Sequence, residues 1–241
     1  MGCITYENLR QFAYSNDREI AGPIRGLIVA FGGLGGQSMY EGVVDNSDEL
    51  AEMGLIYLRP YINPWAWMNE TAVATADELI DVLKAHYGLP ELPVCSSGGS
   101  MGGHGALSFV RFSRQRIIAC VTCSPVCDLV YHFSERPDVA RTLYSAYGPS
   151  DDIEALLLER SPVQTADRMP DIPYVFFHGD ADDQVSKEAH SDRMVAALRA
   201  NGRRVKYYEV PGGLHCHLGP ELARVYNREI YGQFASASPR L

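Results

Sequence analysis

The sequence predicts an α/β fold, a mostly parallel sheet flanked by helices, on three observations. Short apolar runs of strand length alternate with longer segments of helical periodicity. The glycine-rich turns fall directly after apolar runs. The 241 residues are 46% hydrophobic and 21% charged, the composition of one ordinary globular domain able to bury a full core. Alternating strands and helices give a parallel sheet with both faces covered, because each crossover returns the chain to the same end of the sheet.

The strand-like runs are 25–31 (RGLIVAF), 54–59 (GLIYLR), 92–96 (LPVCS), 117–123 (IIACVTC), 173–178 (PYVFFH) and 205–210 (VKYYEV). Between them, 71–87 places Val73, Ala76, Leu79, Ile80, Leu83 and Tyr87 at helical spacing, and 186–200 and 220–234 also read as helices. The rhythm breaks over 125–162, which is loop-like with helical pieces near 139–147 and 153–159. Insertions after the carboxyl ends of strands cover ligand sites in such sheets, so this stretch is expected to form a small cap; a surface excursion without substrate contact is the alternative. There is no internal repeat and no linker, and residues 1–241 read as a single domain.

A formal net charge of −9 disfavours nucleic acid and anionic membrane surfaces as partners. No apolar run reaches bilayer-spanning length, and the first twenty residues lack the apolar core of a secretory signal, so a cytoplasmic location is expected. Free thiols are then the default for Cys3, Cys95, Cys120, Cys123, Cys127 and Cys216. Cys120 and Cys123 lie three apart in one strand-like run, where alternation sends them to opposite faces, so they do not form half of a metal site.

Three segments carry chemistry. The first is Gly98-Gly99-Ser100-Met101-Gly102-Gly103, a Gly-x-Ser-x-Gly between a strand and a helix. A serine on a sharp strand-to-helix turn projects its oxygen at the sheet edge, glycines two residues either side avoid collision there, and the N–H of Met101 opens the helix toward a developing oxyanion. The pattern by itself also fits a plain glycine-rich turn; its strand-turn-helix context favours the nucleophile. The second is His178-Gly179-Asp180-Ala181-Asp182-Asp183, after a strand, and the third is Gly212-Gly213-Leu214-His215-Cys216-His217, after the last one. A carboxylate and an imidazole in the chain order serine, acid, histidine would complete a proton shuttle. His215-x-His217 could also be half of a metal site, but no third ligand accompanies it.

These segments, with Ser124-Pro125, Ser161-Pro162 and Ile172-Pro173, make the chain resemble the catalytic domain of the prolyl oligopeptidase family and related small carboxylesterases of the α/β-hydrolase superfamily, from about Gly26 onward. The resemblance implies Ser100 as nucleophile, Asp182 as the acid and His215 as the base, with Nδ1 of His215 facing Asp182 and Nε2 within hydrogen-bond reach of the Ser100 oxygen. Asp180, Asp183 and His217 are the neighbours most easily confused with them. It also implies a second oxyanion donor in Gly32-Gly33-Leu34-Gly35-Gly36, where many members carry His-Gly-Leu-Gly-Gly; Leu34 is the preferred donor and Gly33 the alternative, beside Met101. The stretch before Gly26 is too short for the propeller that gates peptide access in the oligopeptidases, and dienelactone-hydrolase-like enzymes would carry a cysteine nucleophile. Cleavage of a small or medium ester through an acyl-enzyme is therefore expected, ahead of peptide hydrolysis and of a non-catalytic ligand-binding fold.

Tyr61, Trp65 and Trp67 sit in a loop after the 54–59 run and are candidates to line the substrate pocket; packing the loop onto the following helix is the alternative. His104, at the start of the helix behind the nucleophile, reads as a packed or surface residue. The expected partner is a small ester or short peptide, with no cofactor or metal, and the choice between monomer and homo-oligomer stays open.

Overall fold

The computed structural model describes residues 4–35 and 46–235. Among these, the strands are β1 (Ala13–Ser15), β2 (Gly26–Phe31), β3 (Leu55–Pro60), β4 (Val94–Gly99), β5 (Ile117–Cys123), β6 (Tyr174–Gly179) and β7 (Val205–Val210). They form one sheet in the order β1-β3-β2-β4-β5-β6-β7. Every neighbouring pair is parallel except β1 and β3, joined antiparallel with Tyr14 opposite Arg59. The direction of winding reverses at β2, which has β3 on one side and β4 on the other. Ligand sites of open α/β sheets lie at such a switch point, beyond the carboxyl ends of the strands. The register Phe31 opposite Gly98 brings the loops after β2 and β4 together there.

The helices are α1 (Ser47–Glu52), α2 (Glu70–Tyr87), α3 (Met101–Phe112), α4 (Leu129–Glu135), α5 (Pro137–Tyr147), α6 (Ile153–Arg160), α7 (Arg193–Ala200) and α8 (Gly219–Ala235). Alternation along the strands separates two cores. Leu27, Val29, Leu58 and Val94 pack with Val73, Ala76, Leu79, Ile80 and Leu83 of α2 on one face. Ile28, Cys95, Val121 and Phe177 pack with Leu50 of α1 and Ile230 and Phe234 of α8 on the other. Cys120 falls in the first core and Cys123 in the second, the opposition their spacing predicts. No described helix is long and apolar enough to cross a membrane.

Over 125–162, α4, α5 and α6 build a small helical cap. It has its own core, in which Val126, Leu129, Val139, Leu143 and Leu157 meet Trp67, Met101 and Val185. Elements not expected include α1, β1 and α4. β1 is too short for a period to register, and its pairing with β3 alone makes it a strand. α4 is seven residues long and owes its start to Asp128, whose side chain accepts from Tyr131 N–H at 3.0 Å. The helix expected over 186–200 is divided, a π-helical turn at Glu188–Asp192 leading into α7.

Candidate active site

Ser100 joins β4 to α3 with φ 59° and ψ −128°, a conformation that costs a side chain on the order of 1–3 kcal/mol and must be held by its surroundings. Its N–H is fixed to the Cys123 carbonyl at 3.0 Å. A Cβ on Gly98 would lie 2.2 Å from the Gly102 carbonyl oxygen, and one on Gly102 would lie 2.1 Å from that of Phe31. The two glycines flanking the serine are thus demanded by backbone approach. Ser100 opens into a cavity of about 470 Å³ that Leu34, Met101 and His215 also line.

Asp182 follows β6 in a turn that it closes itself, Oδ1 accepting the N–H groups of Gln184 and Val185 at 3.0 Å each. Its Oδ2 lies 2.8 Å from His215 Nδ1 and 3.2 Å from His178 Nε2. Burial alone would raise this carboxyl, but the hydrogen bonds from His178, His215 and the turn outweigh it and hold Asp182 far below the usual carboxylate range. Burial likewise pushes His215 down, while the bond to Asp182 and the neighbouring Cys216 carry it up to about 9. With Nδ1 donating to Asp182, the other nitrogen of neutral His215 keeps its lone pair.

One expectation is corrected. Among the described residues no hydrogen bond joins Ser100 Oγ to His215; Nε2 instead meets Cys216 Sγ at 3.9 Å. Cys216, at φ 54°, turns its sulfur to the Cys123 carbonyl at 3.6 Å, which sets it beside the imidazole. In empty sites such bonds are often long and tighten on substrate binding.

The neighbours divide clearly. Asp180 accepts Gly212 N–H at 2.6 Å and pins the His215 loop, whereas Asp183 and His217 are exposed. Leu34 and its alternative Gly33 both line the cavity, as does Trp67, while Tyr61 and Trp65 are not among its lining residues. Both tryptophans tie their loop to the cap, Trp67 Nε1 donating to Thr142 Oγ1 at 2.9 Å and Trp65 Nε1 to Ser145 Oγ at 3.1 Å. His104 is buried, its Nε2 3.2 Å from the Trp67 carbonyl and from Ser108 Oγ.

Sequence reasoning missed Arg59, His132, Arg136, Gln184 and Cys216, which also line the cavity. Arg59 had a signal, a cation at the carboxyl end of a strand next to the switch point. Arg136 and His132 had none, because they arrive from a cap whose helices pack only in three dimensions.

His132, Glu135 and His190 bring one ligand atom each within 4.8 Å of one another. His190 Nδ1, however, accepts the N–H groups of Cys127 and Asp128 at 3.1 Å each. Its proton therefore sits on Nε2, the nitrogen facing Glu135 at 3.8 Å, and a protonated nitrogen cannot ligate. The trio is a hydrogen-bonded cluster at the edge of the cap, with His132 Nδ1 2.8 Å from Glu135 Oε2.

Comparison with curated proteins finds no match. Solved structures with the same fold include a puromycin-hydrolyzing peptidase of Mycobacterium tuberculosis, with a TM-score of 0.72, 21% identity, and coverage of 91% of this chain but 36% of that one. An S-formylglutathione hydrolase from Agrobacterium tumefaciens gives 0.67 at 14% identity over 92% of this chain and 88% of that one. Esterase B of Lactobacillus rhamnosis gives 0.66 at 15% over 90% and 77%. The chain thus spans about a third of the peptidase and most of the other two. These likenesses establish the α/β-hydrolase fold. The strained serine after β4 and the order of strands around it have their counterpart in sequence, where residues 69–237 match the prolyl oligopeptidase family, and the chain belongs to that family of serine hydrolases.

Proposed function

We propose that this serine hydrolase cleaves a small or medium carboxylic ester through an acyl-enzyme, with Ser100 as nucleophile, His215 as proton shuttle and Asp182 as its orienting acid. The observation that carries the reading is the hydrogen bond of Asp182 to His215 Nδ1 at 2.8 Å beside the cavity into which the strained Ser100 opens.

Substrate enters with its carbonyl oxygen toward the N–H groups of Met101 and Leu34. Met101 is the first residue of α3, so its N–H has no partner within the helix and the helix dipole adds to it. As the serine oxygen attacks, Nε2 of His215 takes its proton, and the carboxylate of Asp182 stabilises the imidazolium and holds the tautomer. The imidazolium then protonates the leaving oxygen. In the second half, water follows the same route and frees the acid from Ser100. The backbone donors stabilise the oxyanion in both halves, a contribution of about 3 kcal/mol for each donor.

Two observations favour an ester over a peptide with a free amino end. Among the described residues lining the cavity there is no carboxylate to hold a terminal ammonium. The esterase and thioester hydrolase of similar fold match this chain over most of their length. A reading as a small peptidase is kept by the family itself.

Labelling with a fluorophosphonate, followed by turnover of short-acyl p-nitrophenyl esters and aminoacyl p-nitroanilides, tests this. Labelling at Ser100, ester turnover and weak anilide turnover are expected. Ser100→Ala should lose several orders of magnitude of activity with the fold intact. Anilides cleaved better than esters would move the function to peptides, and full turnover by purified Ser100→Ala would sink the mechanism.

A further inference from the structure

The proposed mechanism makes no use of His178, a polar side chain without solvent exposure near the end of β6. Its Nε2 lies 3.0 Å from the Val185 carbonyl and 3.2 Å from Asp182 Oδ2. Its Nδ1 lies 2.7 Å from Ser191 Oγ. A lone pair on Nε2 would face two oxygens, so the ring proton sits there and Nδ1 accepts the hydroxyl of Ser191.

Ser191 reaches the ring from an irregular piece of backbone, the π-helical turn Glu188–Asp192 that leads into α7. Two consecutive residues of that turn, His190 and Ser191, are without solvent exposure. His190 accepts the N–H groups of Cys127 and Asp128 at the base of the cap, and Ser191 meets His178. Single π-helical turns are rare and collect at functional sites. On its other side His178 braces the turn after β6 at two points. Asp182 Oδ1 accepts the N–H groups of Gln184 and Val185, and the carbonyl of that same Val185 accepts from His178. Oδ2 is left between His178 Nε2 and His215 Nδ1, the latter at 2.8 Å. An unbraced carboxylate can turn about its side-chain bonds, and the imidazole then loses the partner that fixes its tautomer.

The geometry points to His178 as a positioning residue of the active site: held by Ser191 on one nitrogen, it presents the other to Asp182 and Val185 and fixes the carboxylate in the orientation that His215 needs. The contacts run in sequence from Ser191 through His178 and Asp182 to His215. His178 is not among the residues lining the cavity, so its effect on the reaction passes through Asp182. The inference rests on the ester-hydrolase reading, in which Asp182 orients His215, and adds to it what orients Asp182.

A double-substitution cycle on ester turnover by the full chain tests this, with the Ser100→Ala rate subtracted as background and rates expressed per folded molecule from circular dichroism. His178→Leu should lower kcat about 100-fold with KM little changed, the loss that a catalytic group misplaced by about 1 Å produces. In an Asp182→Asn background the same substitution should change kcat by less than about 2-fold, because the group it acts through is already gone. His178→Gln, whose amide nitrogen reaches the place of Nε2, should recover most of the activity lost in His178→Leu. A merely structural residue would show the same proportional loss in both backgrounds. That result, an unchanged kcat in His178→Leu, or a loss carried by KM alone overturns this inference and leaves the hydrolase reading standing. Should His178→Leu fail to fold, the cycle is run with Ser191→Ala, expected to lower kcat about 5-fold for one lost hydrogen bond and to add nothing to Asp182→Asn; independent losses there overturn it equally. No ester turnover by the unaltered protein and no labelling at Ser100 overturns the hydrolase reading itself.

Discussion

Two carboxylates, Asp17 and Asp182, have side chains without solvent exposure, and the difference between them separates architecture from chemistry. Asp17 accepts the hydroxyls of Tyr6 and Tyr87 at 2.7 Å each and pairs with Arg10. Those partners come from the N-terminal segment and the end of α2, so one side chain fastens β1 and its flank to the body of the domain. Asp182 is also fully bonded, but one partner is His215, which lines the cavity. Both carboxyls are raised by burial and brought down further by their hydrogen bonds. What differs is the partner. The Arg10 guanidinium and the Tyr87 phenol, both raised from their ordinary values, keep their protons through the neutral range, so the Asp17 network is static. The His215 imidazole gives up its proton only near 9, within reach of an enzyme's working range, which is the property the proposed mechanism asks of the Asp182 network.

The comparison breaks first at Asp182. Asp182→Asn should lower kcat by about 10³–10⁴ with little change in KM, through the wrong tautomer of His215. Ester turnover checks it. If Asp183→Asn is the crippled variant, the acid has been assigned one residue out of register.

Asp17→Asn should instead cost stability, about 2 kcal/mol, since removing the shared acceptor leaves a half-buried guanidinium and two half-buried phenols short of a partner. Urea unfolding reads the loss, and turnover per folded molecule at room temperature should stay as it was. A large fall in turnover without a fall in stability would erase the distinction drawn here.

The two networks should also titrate at opposite ends of the pH scale. His215 is raised from 6.5 to about 9. It is therefore largely protonated near neutrality, and ester turnover should climb as pH rises toward 9 and the base form appears. The same shift adds stability that is fully present below 6.5 and fades as pH rises through about 9. Asp17 is lowered from 3.8, so its stabilisation is present above that value and is lost as pH falls through the folded-state value. In Asp182→Asn the limb of the activity profile should move down toward the ordinary histidine range; in Asp17→Asn it should not move. An activity limb unaffected by Asp182→Asn would assign it to another group.

The smallest effect is expected at His217, exposed on the same loop as His215. His217→Ala should change stability by no more than about 0.5 kcal/mol and leave turnover near that of the unaltered protein. His215→Ala should not survive the same assay. Equal losses in the two would mean that the loop, and not one imidazole, carries the effect.

Most of the sheet was legible because short continuous apolar runs and helical spacing survive without tertiary context; the six expected strand runs correspond to β2 through β7. The candidates Ser100, Asp182 and His215 were legible too, since each stands in a turn after a strand end, and strand ends are what a sequence marks with glycine and aspartate. By itself the sequence thus determined the class of sheet, the strained turn at Ser100 and the candidates around it. Local backbone sterics impose these, such as the glycines at 98 and 102 that leave no room for a Cβ. Only the tertiary structure decided that His215 and not His217 meets Asp182, that Trp67 joins its loop to the cap, and that Arg59 and Arg136 converge on one cavity. These depend on distances between segments far apart in the chain, set by strand order and by packing of the cap, and no local pattern of residues encodes them.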